Sequence, residues 1–261
     1  MLPRRDLLGR SRRPEALEPL IAAAETALRT WEPVWSPFLA PELLEEASRL
    51  LGDLMELSLT SVGGHPAAER RRMLLQRADA ALDPLDLDPG LAGLEISGNF
   101  LFDPAETGEM RRALTDLGAA DGDLGDLWLR GERGAQAIGT AALAQRLDGA
   151  NGQVRSVAVT LLARPLDALQ PPAARSAKRL STVEASLRLD AVASAGFGLS
   201  RSRMAELIRS GAVRLNWQPV LSPSRELAPG DRVRLEGRGE LAVLTVAVTR
   251  RDRFRLELER R

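Results

Sequence analysis

The sequence predicts an α+β chain with a helical N-terminal region, a central βαββαβ domain, and a C-terminal domain of two helices packed on a small antiparallel sheet. Three observations predict it. Apolar residues in roughly the first eighty positions recur every three or four places, the spacing of a helix face. Between Leu91 and about Ala163, short apolar runs alternate with amphipathic segments in the order β-α-β-β-α-β. Near the C-terminus a helical segment runs into a glycine and then into an apolar strand. Proline and glycine clusters divide the chain into residues 1–82, 88–168, a linker at 169–180, and 181–261.

Each element has its own justification. "PEALEPLIAAAETALRTW" stacks Leu17, Leu20, Ile21, Ala24 and Leu28 on one face. "APELLEEASRLLGDL" opens with Pro41, favoured in a first helical turn, and stacks Leu43, Leu44, Ala47, Leu50, Leu51 and Leu54. "AAERRRMLLQRADAAL" predicts a third helix with Arg70, Arg71 and Arg77 on an exposed side opposite Met73 and Leu74. "GLEISGNFLF" predicts a strand. "DPAETGEMRRALTDLG" predicts a helix capped by Asp103 and started by Pro104. "DLWLR" and "AQAIGT" predict strands around the turn "GERG", "AALAQRLDG" a second helix, and "QVRSVAVTLLA" a last strand. That order is the ferredoxin-like, RRM-like sandwich. "RPLDALQPPAARSAKR" is a linker stiffened by Pro171 and Pro172. Beyond it, "TVEAS" predicts a short strand, with a capping box over "STVE" as the alternative reading. "LRLDAVASAG" and Ser200–Ser210 predict two helices, the second stopped by Gly211. "AVRLNW", "APGDRVRLEG", "ELAVLTVAVT" and "RFRLELE" predict strands, the last three separated by "GRG" and "RRD".

Composition excludes several chemistries. The 261 residues are 44% hydrophobic but only 3% aromatic, so the cores must be built from Leu, Val and Ala. There is no cysteine, which excludes a disulfide framework, a thiol nucleophile and thiolate metal sites. A single histidine, His65, excludes a multi-histidine metal cluster. No apolar run approaches the ~18 residues of a membrane span, so no membrane insertion is expected. The Arg-rich start lacks the apolar core of a secretory signal. A cytoplasmic location is expected, or the plastid stroma in a plastid-bearing organism. The zero net charge conceals a split. Residues 175–261 hold 18 basic against 10 acidic residues, and residues 1–174 hold 18 against 26. A basic end of this kind points to an anionic partner.

"LSRSRMAELIRSGAVRLNWQPV" is the centre of that basic end. The N-terminus of a helix carries partial positive charge and favours Asp or Glu in its first turn. Here Arg201 and Arg203 occupy that turn. With Ser200 as cap, free backbone amides and two guanidiniums together make a phosphate site, and bound phosphate converts an unfavourable arrangement into charge-assisted contacts. Pairing with Glu206 is the alternative use of these arginines.

The surrounding residues resemble a known family. "RLD" at 188–190, the stretch just quoted and "LAPGDRVRLEG" together resemble the S-four RNA-binding domain. Ile208, Gly211, Val213, Leu215, Asn216, Gly230 and Asp231 fill its pattern. "SVGGHPAAERRRMLL" resembles a segment of the YlmH-type members of that family. "ISGNFLFDP" and "GERGAQAI" are similar to its cyanobacterial and plastid branch, called photosystem II S-four domain protein. The resemblance implies non-catalytic binding of structured RNA, rRNA or tRNA, with the large ribosomal subunit as partner and a role in translation or nascent-chain quality control. It implies contacts from Arg188, Ser200, Arg201, Arg203, Arg209, Arg214, Asn216, Trp217 and Gln218, with Arg225, Arg232, Arg234 and Arg238 as weaker candidates. Most members carry glycine where this chain has Trp217, which has two readings: stacking on a base or sugar, or covering the small core.

Other features carry less. Arg70, Arg71 and Arg77 are an auxiliary RNA contact or a solvated face. His65 is expected to be a loop histidine, Asp123 and Asp126 to belong to a turn rather than to a metal, and "GERG" is too short to cradle phosphate. Residues 83–170 hold 7 basic and 14 acidic residues, so this middle domain is expected to space the ends or contact protein rather than bind RNA. No cofactor, metal or catalytic residue is expected, and the chain is expected to be a monomer. Two further readings remain open at this point: a protein-assembly factor of photosystem biogenesis, and an RNA-modifying enzyme.

Overall fold

The computed structural model describes residues 2–173, 177–235 and 238–261. Residues 174–176 of the expected linker and Gly237 of the expected "GRG" turn lie outside the described residues. The chain divides into two compact units, Met1–Ala173 and Ala174–Arg261.

The first unit begins with α1 (Arg4–Gly9), α2 (Pro14–Thr30), β1 (Val34–Leu39), α3 (Pro41–Gly52), β2 (Leu57–Val62) and β3 (Arg71–Arg77). Both long helices start on proline, as their sequences require. The helices bury Leu17, Leu20, Ile21, Ala24, Ala47, Leu50 and Leu51 against Met73 and Leu75 of the sheet. The expected third helix is a correction. Its central part is β3, the middle strand of a sheet in the order β1-β3-β2, antiparallel to both neighbours. Met73, Leu74, Leu75 and Gln76 are all buried in succession. A strand covered on both faces has a continuous buried run, which a helix segment can also show, so periodicity alone does not separate them. With the helix goes the common exposed side expected for Arg70, Arg71 and Arg77. Strands β1 and β2 are further corrections, since this region is expected to be helical and no strand is expected there.

The unit continues with β4 (Leu91–Ser97), α4 (Thr107–Asp116), β5 (Leu124–Leu129), β6 (Gly134–Thr140), α5 (Ala141–Leu147), β7 (Asn151–Val154) and β8 (Val157–Arg164). The sheet order is β5-β6-β4-β8-β7, every pair antiparallel. Without β7 this is the split βαβ arrangement that the element order predicts. Two details differ. The expected last strand is a hairpin, because Arg155 takes a left-handed conformation (φ 53°) and turns the chain back on itself. Helix α4 starts three residues past Pro104, on a capping box between Glu106 and Glu109. Asp103 instead accepts hydrogen bonds from Arg155 (2.6 Å) and the Ser156 hydroxyl (2.6 Å). Both helices cover one face of the sheet around Leu94, Ile96, Met110, Leu114, Leu143 and Leu161.

A small third cluster, Phe38, Trp128, Ile138 and Leu169, joins β1 to β5, β6 and the segment after β8. Polar contacts reinforce it. Asp126 accepts from the Glu69 and Arg70 amides (2.8 and 2.9 Å), and its carboxylate lies 3.3 Å from His65 Nε2. His65 also meets the Trp128 ring edge-on. The histidine therefore helps stitch the two halves of the unit together.

The second unit contains β9 (Lys178–Glu184), α6 (Leu189–Phe197), α7 (Arg201–Arg209), β10 (Val213–Leu215), β11 (Gln218–Pro219), β12 (Arg232–Leu235), β13 (Gly239–Val248) and β14 (Phe254–Arg260). The six strands form an antiparallel sheet in the order β11-β10-β12-β13-β14-β9. Strand β9 takes up the last three residues of the span read as linker. The helix pair packs Leu189, Val192, Phe197, Met204 and Ile208 onto Val213, Val233, Leu241, Leu256 and Leu258. Each such side chain contributes about 1.5–3 kcal/mol by leaving water.

Candidate nucleic-acid interface

The site is assembled where α6 and α7 begin. Helix α7 is capped by Ser200, whose hydroxyl accepts from the Arg203 amide at 3.3 Å. Among the described residues the Arg201 and Ser202 amides have no hydrogen-bond partner. They are the unfilled donors that make a helix start attractive to anions. The far end closes at Gly211 (φ 79°), where the Gly211 and Ala212 amides bond back to Ile208 and Leu207. The expected stop is therefore observed.

One carboxylate organises the arginines. Asp190, in the first turn of α6, is only 7% exposed at its side chain. It accepts from Arg188 Nε (3.1 Å) and Nη2 (3.0 Å) and from Arg201 Nη2 (3.1 Å). Burial works against its charged form, yet the Arg188 and Arg201 guanidiniums outweigh that and hold its pKa below the usual carboxylate range. Each guanidinium offers five N–H donors in a fixed fork. Both therefore keep donors for a second anion while Asp190 fixes their direction. The α6 start is closed differently, since the Leu189 and Asp190 amides donate to the Arg225 and Pro223 carbonyls. Only the α7 start remains open.

Arg203 reaches Glu206 at 2.5 Å, which is the alternative pairing considered from the sequence. Both side chains are more than half exposed, and an exposed pair of this kind is worth ~0–1 kcal/mol. Phosphate can displace it at little cost. Arg209 and Arg214 are exposed and enter no described ion pair.

The β10–β11 turn forms a second group. Asn216 and Trp217 are its two central residues, both left-handed (φ 49° and 69°). That is the turn in which Asn-Gly is favoured because both positions need positive φ. Asn216 donates to Asp231 Oδ1 (2.7 Å) and accepts from the Arg232 amide (2.9 Å), and Asp231 also takes the Ala228 amide (2.8 Å). Both ends of the Asn216 amide thus brace the turn against the loop before β12. Trp217 is half-buried, with the Arg234 guanidinium 5.5 Å from its ring centre, and Gln218 is exposed.

The structure brings Arg188, Ser200, Arg201 and Arg203 to one corner and Asn216, Trp217 and Gln218 to one turn. Arg70, Arg71 and Arg77 belong to the other unit and are engaged separately. Arg70 donates to the Leu124 and Asp121 carbonyls, Arg71 to those of Ala68 and Pro66, and Arg77 grips Asp79 while lying over the Trp31 ring at 3.6 Å. The residues that sequence reasoning left without a role are Asp190 and Asp231. Both stand in quoted motifs, but nothing in their spacing displays the partners that folding gives them. Among the described residues no group of three His, Asp or Glu could hold a metal, and no helix is long and apolar enough to cross a membrane.

Comparison with known proteins agrees with this layout. Residues 13–80 match the family model described as YlmH, N-terminal, and residues 187–233 match the S4 domain. The chain is 29% identical over 206 residues to the Bacillus subtilis (strain 168) protein named ribosome-associated protein quality control protein P2, covering 78% of this chain and 79% of that one. A solved structure titled cell division protein ylmH from Streptococcus pneumoniae is 19% identical with a TM-score of 0.46, and the match covers 59% of this chain and 92% of that one. The chain therefore matches a YlmH N-terminal domain at one end and an S4 domain at the other.

Proposed function

We propose that the C-terminal unit binds structured RNA, ribosomal or transfer RNA, without catalysis, and that it does so on the large ribosomal subunit in the cytoplasm. The observation that carries this reading is the open α7 start flanked by Arg188 and Arg201, both aimed by the buried Asp190. In this reading Arg201, Arg203, Arg209 and Arg214 bind phosphates, and Trp217 and Gln218 meet sugars or bases. Arg188 offers its remaining donors beside Arg201, and Asn216 acts mainly by positioning its neighbours. The matched Bacillus relative, named as ribosome-associated, favours the ribosome over photosystem assembly. The acidic middle domain serves as a spacer or a protein-contact surface.

The test is a titration of ribosomal RNA at several salt concentrations. Arg201→Ala with Arg203→Ala should weaken binding to all RNA sequences alike. It should also flatten the dependence of log K on log salt by roughly two. An unchanged slope removes the phosphate clamp.

A further inference from the structure

The β13–β14 hairpin lies beyond the residues that match the S4 domain, and its tip reads "TRRDRFR". Four arginines, Arg250, Arg251, Arg253 and Arg255, stand there against one aspartate, Asp252. None of the four enters an ion pair among the described residues, and Arg250, Arg251, Arg253 and Arg255 are all exposed. Three other arginines of this unit have carboxylate partners: Arg179 and Arg261 share Glu259, and Arg232 faces Glu240. The tip is therefore a local concentration of uncompensated charge.

Its shape is preset. Thr249 and Arg253 close a three-residue loop, with the Thr249 amide donating to the Arg253 carbonyl (2.7 Å) and the Arg253 amide to the Thr249 hydroxyl (3.2 Å). Asp252 takes the left-handed position (φ 53°) that such loops require. On the strands, Arg255 is directly opposite Ala247 on one side and Val183 on the other. Directly opposed residues share a face. The helices cover the other face, where Leu256, Leu258 and Val243 are buried. Arg255 thus lies on the uncovered face, its stem flanked by small apolar side chains. These residues, Val248 and the tip arginines line an open groove of about 660 Å³. Glu257 is the next carboxylate along that face, and no described ion pair joins it to Arg255.

We infer that this hairpin is a second RNA contact, taking successive backbone phosphates along the groove, separate from the β10–β11 turn. It rests on the RNA-binding reading above and extends it beyond the S4 domain. Phosphate fits the observations better than a lipid surface does. The groove offers Val, Ala and Thr and none of the large Trp, Phe or Leu side chains with which an interfacial element enters a bilayer. Open guanidiniums at the rim of a shallow groove suit a backbone that carries a charge at every nucleotide.

The experiment compares four full-length proteins on ribosomal RNA across a salt series: wild type, R201A/R203A, R250Q/R251Q/R253Q and R250K/R251K/R253K. The glutamine variant should flatten the salt slope by roughly two to three, separately from the loss in R201A/R203A. The lysine variant should keep the wild-type slope, which also shows that the loop tolerates substitution. A wild-type slope in the glutamine variant, with R201A/R203A still impaired, overturns the hairpin contact and leaves the S4 site standing. A lysine variant as impaired as the glutamine one also overturns it, since the contact depends on charge. Failure of the wild type to bind RNA at all removes both readings. Unchanged RNA binding with lost binding to phosphatidylserine vesicles assigns the hairpin to lipid and overturns the proposal.

Discussion

Trp217 is where the residue scale matters most. A left-handed non-glycine residue costs on the order of 1–3 kcal/mol, and Trp217 holds φ 69° in a turn suited to glycine. Its contact with Arg234 returns part of that, since a cation–π pair contributes about 0.5–1 kcal/mol or more. A residue kept in a strained turn beside exposed arginines fits a ligand-facing role. Trp217→Gly should therefore leave the melting temperature unchanged or raise it. It should also weaken RNA binding about tenfold or more, the loss of one stacked base at ~1–3 kcal/mol. A lowered melting temperature with intact RNA affinity would assign Trp217 to the core instead. Asp190 teaches a different lesson. The sequence displays it beside Arg188, but its bond to Arg201 exists only once the α6–α7 corner has folded. Spacing along the chain does not reveal a hydrogen bond across eleven residues.

Among the elements, the helices of the S4 unit were legible because each signal was local: Ser200 as cap, Gly211 as stop, and apolar residues on one face. Strand β3 was not, because burial on both faces gives four consecutive buried residues that a helix segment can match, and its pairing with β1 and β2 leaves no mark on the segment itself. The β7–β8 hairpin was missed because its turn uses Arg155 at positive φ rather than glycine or asparagine. Pairing contributes something that no single segment displays. Helix α6 shows the same dependence in its packing on β13. A Cβ on Gly196 would sit 2.2 Å from Leu241 Cδ2, and Leu241 is fully buried. The helix can approach the sheet this closely only with glycine there. Gly196→Ala should destabilise the C-terminal unit by about 1–3 kcal/mol through overpacking, visible as a lower denaturant midpoint with an unchanged slope. An unaltered midpoint would mean that Leu241 has room to turn away.

Over the whole molecule, charge and structure divide at the same place. The boundary between the compact units falls at residues 173 and 174. The basic surplus begins at Arg175: 18 basic against 10 acidic residues beyond it, and 18 against 26 before it. The two units have separate apolar cores, so the C-terminal unit does not need the first one to bury its own. A net negative body tethered to an RNA-binding unit repels the same phosphates that the arginines attract. That repulsion acts over a screening length of ~10 Å at 0.1 M salt and ~30 Å at 0.01 M. Residues 177–261 alone should therefore bind RNA more tightly than the full chain at low salt, with the difference closing as salt rises. Parallel titrations of the two proteins against one RNA would measure this, with circular dichroism confirming that the shorter chain is folded. If the full chain binds more tightly at every salt concentration, the first unit adds contacts of its own. Arg70, Arg71 and Arg77 would then be the first residues to substitute.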